Sequence, residues 1–128
     1  MSDKISIRPI IAKAKVSDST SIEEVFQNEV LRPIIKMQHD LLILLFKEYI
    51  KNKKVLFHEI SNAKRRVFIE NSLAKDIAFK SEIKGMITGH FTPEEFTQYT
   101  AISNDVNKRI MGIIKERLLN SLSELIGG

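Results

Sequence analysis

The sequence predicts an all-α fold: an up-and-down bundle of about four helices with a long kinked first helix, a long C-terminal helix and an extended N-terminal arm. Three observations carry that prediction. Apolar residues recur at helical spacing, about 100° per residue, through most of the chain after Ser21. Cap-forming residues, Ser21, Ser61 and Thr92, stand where the periodic stretches begin. No stretch beyond the first residues reads as the strands of a sheet.

Residues 1–20 alternate loosely at Ile5, Ile7 and Ile11, carry Pro9 and dissolve into the polar run Ser17 to Ser21. They read as an extended or flexible arm that either lies in a groove of this subunit or of a partner, or is simply frayed. Ser21 and Glu24 then form a capping box, and the first helix runs from there to Asn52. One apolar stripe comprises Ile22, Phe26, Val30, Ile34, Met37, Leu41, Leu44 and Leu45. A second, beside it, comprises Leu31, Ile35, Leu42, Phe46 and Tyr49. An ordinary surface helix keeps a far wider polar face, so neighbours should wrap this one on most sides. Pro33 lacks an N–H and clashes with the carbonyl four residues back, which predicts a kink at 29–32.

Val55 to Ile60 reads as an apolar linker, and Ser61 as the cap of the next helix. The stripe of Ala63, Val67, Leu73, Ala74, Ile77 and Ala78 gives way to Phe79, Ile83, Met86 and Ile87 on nearly the opposite side, so a break is expected between Lys75 and Phe79. Two helices, 62–75 and 77–88, follow from that break. Gly89 suits a C-terminal cap of positive φ. Thr92-Pro93-Glu94-Glu95 is the most specific local signal: Thr92 and Glu95 close a capping box, Pro93 takes the first helical position, and Phe91 is placed to staple onto Phe96. The last helix then carries one stripe, from Phe96 through Ile110 and Ile114 to Leu125, over a predicted length of about 50 Å.

At 128 residues the chain fits one domain, 21–126, preceded by the arm 1–20, and 43% apolar with 28% charged residues suits a globular protein. It contains no cysteine, which excludes disulfides and thiolate metal sites. The segment MSDKISIRPI does not read as a secretion signal, which leaves the cytoplasm as the expected location. The longest apolar run, LLILLF, covers six residues, whereas a membrane span needs about 20.

Chemistry-bearing patterns are sparse. The three histidines, His39, His58 and His90, fall in no H-E-x-x-H or Glu-x-x-His pair, so no metal and no cofactor is expected. There is no phosphate-binding glycine loop and no serine in a G-x-S-x-G elbow. Polar groups do interrupt the stripes: Glu48, Asn107 and Arg117, which read either as an in-bundle ion pair from Glu48 to Arg117 or Arg109 or as Glu48 snorkelling out at the helix end. If they line a pocket instead, with Tyr49 or Tyr99 nearby, the chain is an enzyme or a small-ligand binder. Charge is uneven. The stretch Lys47 to Arg66 has seven Lys or Arg against two Glu in a chain of net charge +4. Lys51, Lys53, Lys54, Lys64, Arg65 and Arg66 are therefore the polyanion-binding candidates, with nucleic acid or another acidic molecule as the partner.

The reading favoured by these patterns is a non-catalytic, homo-oligomeric interaction module. The long helices offer more apolar surface than the two short ones cover, so Leu31, Ile35, Leu42, Phe46 and Tyr49 are the expected homodimer interface. Polyanion binding through 51–66 comes second. The segments QNEVLRPIIKMQHDLL, IKGMITGHFT and NKRIMGIIKERL resemble a family of short uncharacterised bacterial all-helical proteins, some labelled glyoxalase. The resemblance spans most of the chain from Phe26 onward. A glyoxalase would need βαβββ modules and His/Glu metal ligands, which these residues do not supply, so the resemblance implies neither activity nor site residues.

Overall fold

The computed structural model describes residues 3–9 and 20–127, and every regular element among them is helical. No helix among the described residues is long and apolar enough to cross a membrane. The arm is not wholly extended: α1 (Asp3–Ser6) is one helical turn, while 10–19 lie outside the described residues. What docks this segment is charge. Arg8 reaches Glu95 with both terminal nitrogens, at 2.7 and 2.8 Å, and also the His90 carbonyl, while Lys4 Nζ donates to the Phe91 carbonyl at 2.9 Å.

The first long helix is divided. After α2 (Ile22–Phe26) the backbone widens into a π-helical turn over Gln27–Leu31, followed by α3 (Arg32–Met37) and α4 (His39–Asn52). Arg32 N–H bonds to the Gln27 carbonyl five residues back, so the register is reset immediately before the proline that an α-helical ladder would clash with. A second interruption falls at Gln38 (φ −90°, ψ 8°). The helix ends where Lys54 takes the left-handed conformation, φ 57°.

α5 (Asn62–Lys75) and α6 (Ile77–Thr88) meet at Asp76, whose Oδ1 accepts from Phe79 N–H at 3.1 Å and caps α6. That cap supplies the break between two offset stripes without Gly or Pro. Gly89 does not adopt positive φ; it stays right-handed at φ −61°. In the capping box that opens α7 (Pro93–Ala101), Glu95 N–H donates to Thr92 Oγ1 at 3.1 Å and Thr92 N–H to Glu95 Oε1 at 2.9 Å. The expected Phe91–Phe96 staple is replaced by core packing. Phe91 is buried edge-on against Phe26 and Tyr99, both at 5.5 Å, and Phe96 is exposed.

The single C-terminal helix is also divided, into α7, α8 (Ser103–Leu119) and α9 (Leu122–Ile126). Thr100, Ile102, Ser103, Asn104 and Asp105 are weak helix formers around the first break. Across it, Tyr99 OH donates to Asn107 Oδ1 at 2.6 Å. At the second break Ser121 Oγ donates to the Arg117 carbonyl at 2.7 Å.

α5 packs on both α6 and α8, the π turn and α7 on α8, and α4 on α9, around one cluster of buried apolar side chains. The second stripe of the first helix lies inside that cluster. Leu31, Ile35, Leu42 and Phe46 are completely buried by their own chain, and Tyr49 is half-buried. The residues expected at a homodimer interface are therefore core. Phe46 and Tyr49 join Phe68 and Phe79 in an aromatic cluster, with Tyr49 stacked on Phe79 at 3.9 Å. It is the first stripe that reaches the surface, with Ile22, Leu41 and Leu44 exposed.

Candidate functional site: a basic trough along α8

α8 buries Val106, Ile110, Ile113, Ile114 and Leu118, and helical geometry turns Lys108, Gly112 and Lys115 to the opposite side. α6 buries Phe79, Ile83 and Ile87, leaving Lys80 and Lys84 one turn apart on its outer face. Packing of α5 and α6 on α8 brings these faces together around a cleft of about 540 Å³, where Lys80, Lys84, Lys108 and Lys115 meet a single acid, Glu70. A second cleft of about 500 Å³ shares Gly112 and Lys115 with the first and adds Arg32, Arg66 and Arg109 against Glu116. The two adjoin as one trough. Seven cations face two acids along it, a far steeper imbalance than in the chain as a whole.

These cations differ in what holds them. Arg109 is paired with Asp105 one turn back and donates to Gln27 Oε1 at 3.1 Å, and Arg32 Nε donates to Asn28 Oδ1 at 3.2 Å. Among the described residues no carboxylate pairs with Lys80, Lys84, Lys108 or Lys115. Four unneutralised ammonium groups around one cleft repel one another, and an anion placed among them relieves that repulsion. Neither cleft is lined by an aromatic side chain.

The sequence-derived basic segment is more dispersed. Lys53 pairs with Asp76 at 3.4 Å and lies over the Tyr49 ring at 5.5 Å. Arg65 holds the 53–61 loop, donating to the Phe57 and His58 carbonyls at 2.7 and 3.0 Å. Lys51 is exposed beside a separate cleft that includes Lys47 and His58, and Lys54 and Lys64 are exposed. Arg66 alone of the six lines the trough. Of the trough's other cations, the pairs Lys80/Lys84 and Lys108/Lys115 were visible as helical spacings. On either helix taken singly they look like an ordinary solvated face, and only the packing on α8 makes them converge.

The in-bundle pair expected of Glu48 does not form. Glu48 is exposed on α4, because the side of α4 it shares with Leu41 and Leu44 faces water. Arg117 instead donates from Nη1 to His39 Nδ1 at 3.2 Å, and His39 Nε2 meets the Glu124 carboxylate at 2.9 Å. An arginine can only donate, so His39 Nδ1 accepts and its Nε2–H donates to Glu124. Asn107 lines the first cleft, with its carbonyl engaged by Tyr99. Tyr49 donates to Asp76 Oδ2 at 2.7 Å, an interaction that holds the Asp76 carboxyl below its ordinary value, while burial raises the Tyr49 phenol. No group of three His, Asp or Glu that could hold a metal occurs among the described residues.

No family model, no curated protein and no solved structure matches this chain.

Proposed function

We propose that this chain is a non-catalytic helical interaction module of the cytoplasm that holds a polyanion in the trough along α8. The observation that carries the reading is the convergence of Lys80, Lys84, Lys108 and Lys115, without a carboxylate partner among the described residues, on one cleft. Cations arranged this way recognise phosphates as charge. The same reading takes the helices as an up-and-down bundle kinked at Pro33, supported by α5 lying against both α6 and α8.

Titration of a short mixed-sequence DNA duplex and of inorganic polyphosphate at low salt tests the proposal. Replacing Lys84, Lys108 and Lys115 together by Gln should remove three phosphate contacts and reduce the slope of log K against log salt by about 2.7. Replacing Lys51, Lys53 and Lys54 by Gln should leave binding nearly as it was. Equal losses in the two triple variants, or no binding of either polyanion by the natural chain, would refute it.

Self-association is a second reading, favoured by Leu41 and Leu44 standing one turn apart on α4 at 52% and 61% exposure. Light scattering decides it. A dimer that Leu44→Asp dissociates supports the reading, and a 14.7 kDa monomer at micromolar concentration overturns it.

A further inference from the structure

Gly112 lies near the middle of α8, where glycine weakens a helix relative to alanine, and nothing in the chain's own packing requires it. A Cβ built there meets no atom within 4 Å, so the missing side chain serves no internal contact. The residue is exposed, and it lines both clefts, together with Lys115. Any larger side chain at 112 would stand up as a barrier where one cleft passes into the other.

Resting on the polyanion reading above, we infer that Gly112 is the crossing point at which the sugar-phosphate backbone of a nucleic-acid duplex passes along α8 from one cleft to the other. Glycine here lets the ligand's backbone approach the helix closely, and Lys108 and Lys115, on either side of it in the same helix, hold the phosphates. About 10 Å of helix separates these two residues, a rise of seven positions, so the two ammonium groups reach different phosphates of one strand. A duplex is the occupant because the trough offers charge without aromatic rings. The bases of a single strand would find no stacking platform, whereas a duplex keeps its bases stacked within itself and presents only phosphates.

The test uses the full chain with a mixed-sequence DNA duplex, the matching single strand and inorganic polyphosphate. Gly112→Leu places a good helix former in open space, so the protein should melt at least as high as the natural chain while its duplex affinity falls. Blocking one phosphate contact costs about eightfold at 0.1 M salt and takes about 0.9 off the salt slope. Gly112→Ala should fall between the two. Gly85→Leu is the control: Gly85 also faces open space in mid-helix but lines neither cleft, so its duplex binding should be unchanged. Gly112→Leu binding duplex like the natural chain, or single strand binding as tightly as duplex, overturns the crossing inference and leaves the polyanion reading standing. Binding of polyphosphate but not duplex has the same consequence. Failure to bind any of the three removes both.

Discussion

Thr92→Ala is the sharpest probe of how the α6–α7 corner is held. The Thr92 side chain accepts the Glu95 N–H at 3.1 Å, and the residue is only 2% exposed, so water cannot replace the lost hydroxyl without rearrangement. Loss of an N-cap costs about 1 kcal/mol, and the buried methyl removed with it adds about 0.8 kcal/mol. The sum is about 2 kcal/mol. Unfolding entropy of about 2.1 cal/mol/K per residue gives about 0.27 kcal/mol/K for 128 residues, so the melting temperature should drop by about 7 °C. Two companions separate the contributions. Thr92→Ser keeps the acceptor and should lose less than half as much, whereas Thr92→Val keeps the buried volume, strands the Glu95 N–H and should lose about the 1 kcal/mol of the cap, less than alanine. Calorimetry on the three variants decides the matter: if serine is as damaging as alanine, the hydroxyl does not cap α7 and the account of this corner fails.

The core and the strap give further tests. Phe46→Ala removes a completely buried ring packed on Tyr49, Phe68 and Phe79 and should cost about 4 kcal/mol in urea denaturation, against less than about 0.5 kcal/mol for exposed Leu44→Ala. Lys54→Gly should stabilise by about 0.5–1 kcal/mol, because Lys54 holds φ 57° where only glycine is unstrained; a destabilised variant would mean that its side chain makes a compensating contact. Burial works to raise the Glu95 carboxyl, but Arg8 and Thr92 outweigh it and hold the group below its ordinary 4.5, so this contribution is complete above that pH and is lost as pH falls through the folded value. Burial, with Arg8 and Lys4, holds His90 below its ordinary 6.5, so the folded form resists protonation and stability also declines as pH drops from 6.5 toward the lower folded value. Arg8→Ala should cost about 1–3 kcal/mol at neutral pH and flatten both slopes in pH-dependent urea melts; identical pH profiles for variant and natural chain would detach Arg8 from these groups.

Local chemistry by itself determined where three of the helices begin. Ser21, Ser61 and Thr92 each cap the helix that follows, because a cap bond closes over three residues and needs no distant partner. The break at 75–79 was legible too, as a stripe changing sides, although Asp76 as its cap was not singled out. Interruptions at Gln38, Ile102 and Asn120 escaped the sequence because an unbroken stripe is equally compatible with a straight helix and with short helices in phase; contacts from elsewhere in the chain choose between them. The same limit applied to the faces. Leu42 and Leu44 are equally apolar, but one is completely buried and the other is 61% exposed, since burial depends on which side of α4 meets neighbours distant in sequence. Charge density along the chain pointed to Lys51–Arg66, whereas the trough gathers Lys80, Lys84, Lys108 and Lys115 from two helices. Capping acts within one turn and is written in adjacent residues; electrostatic potential sums over space, so the site existed only once α6 had packed against α8.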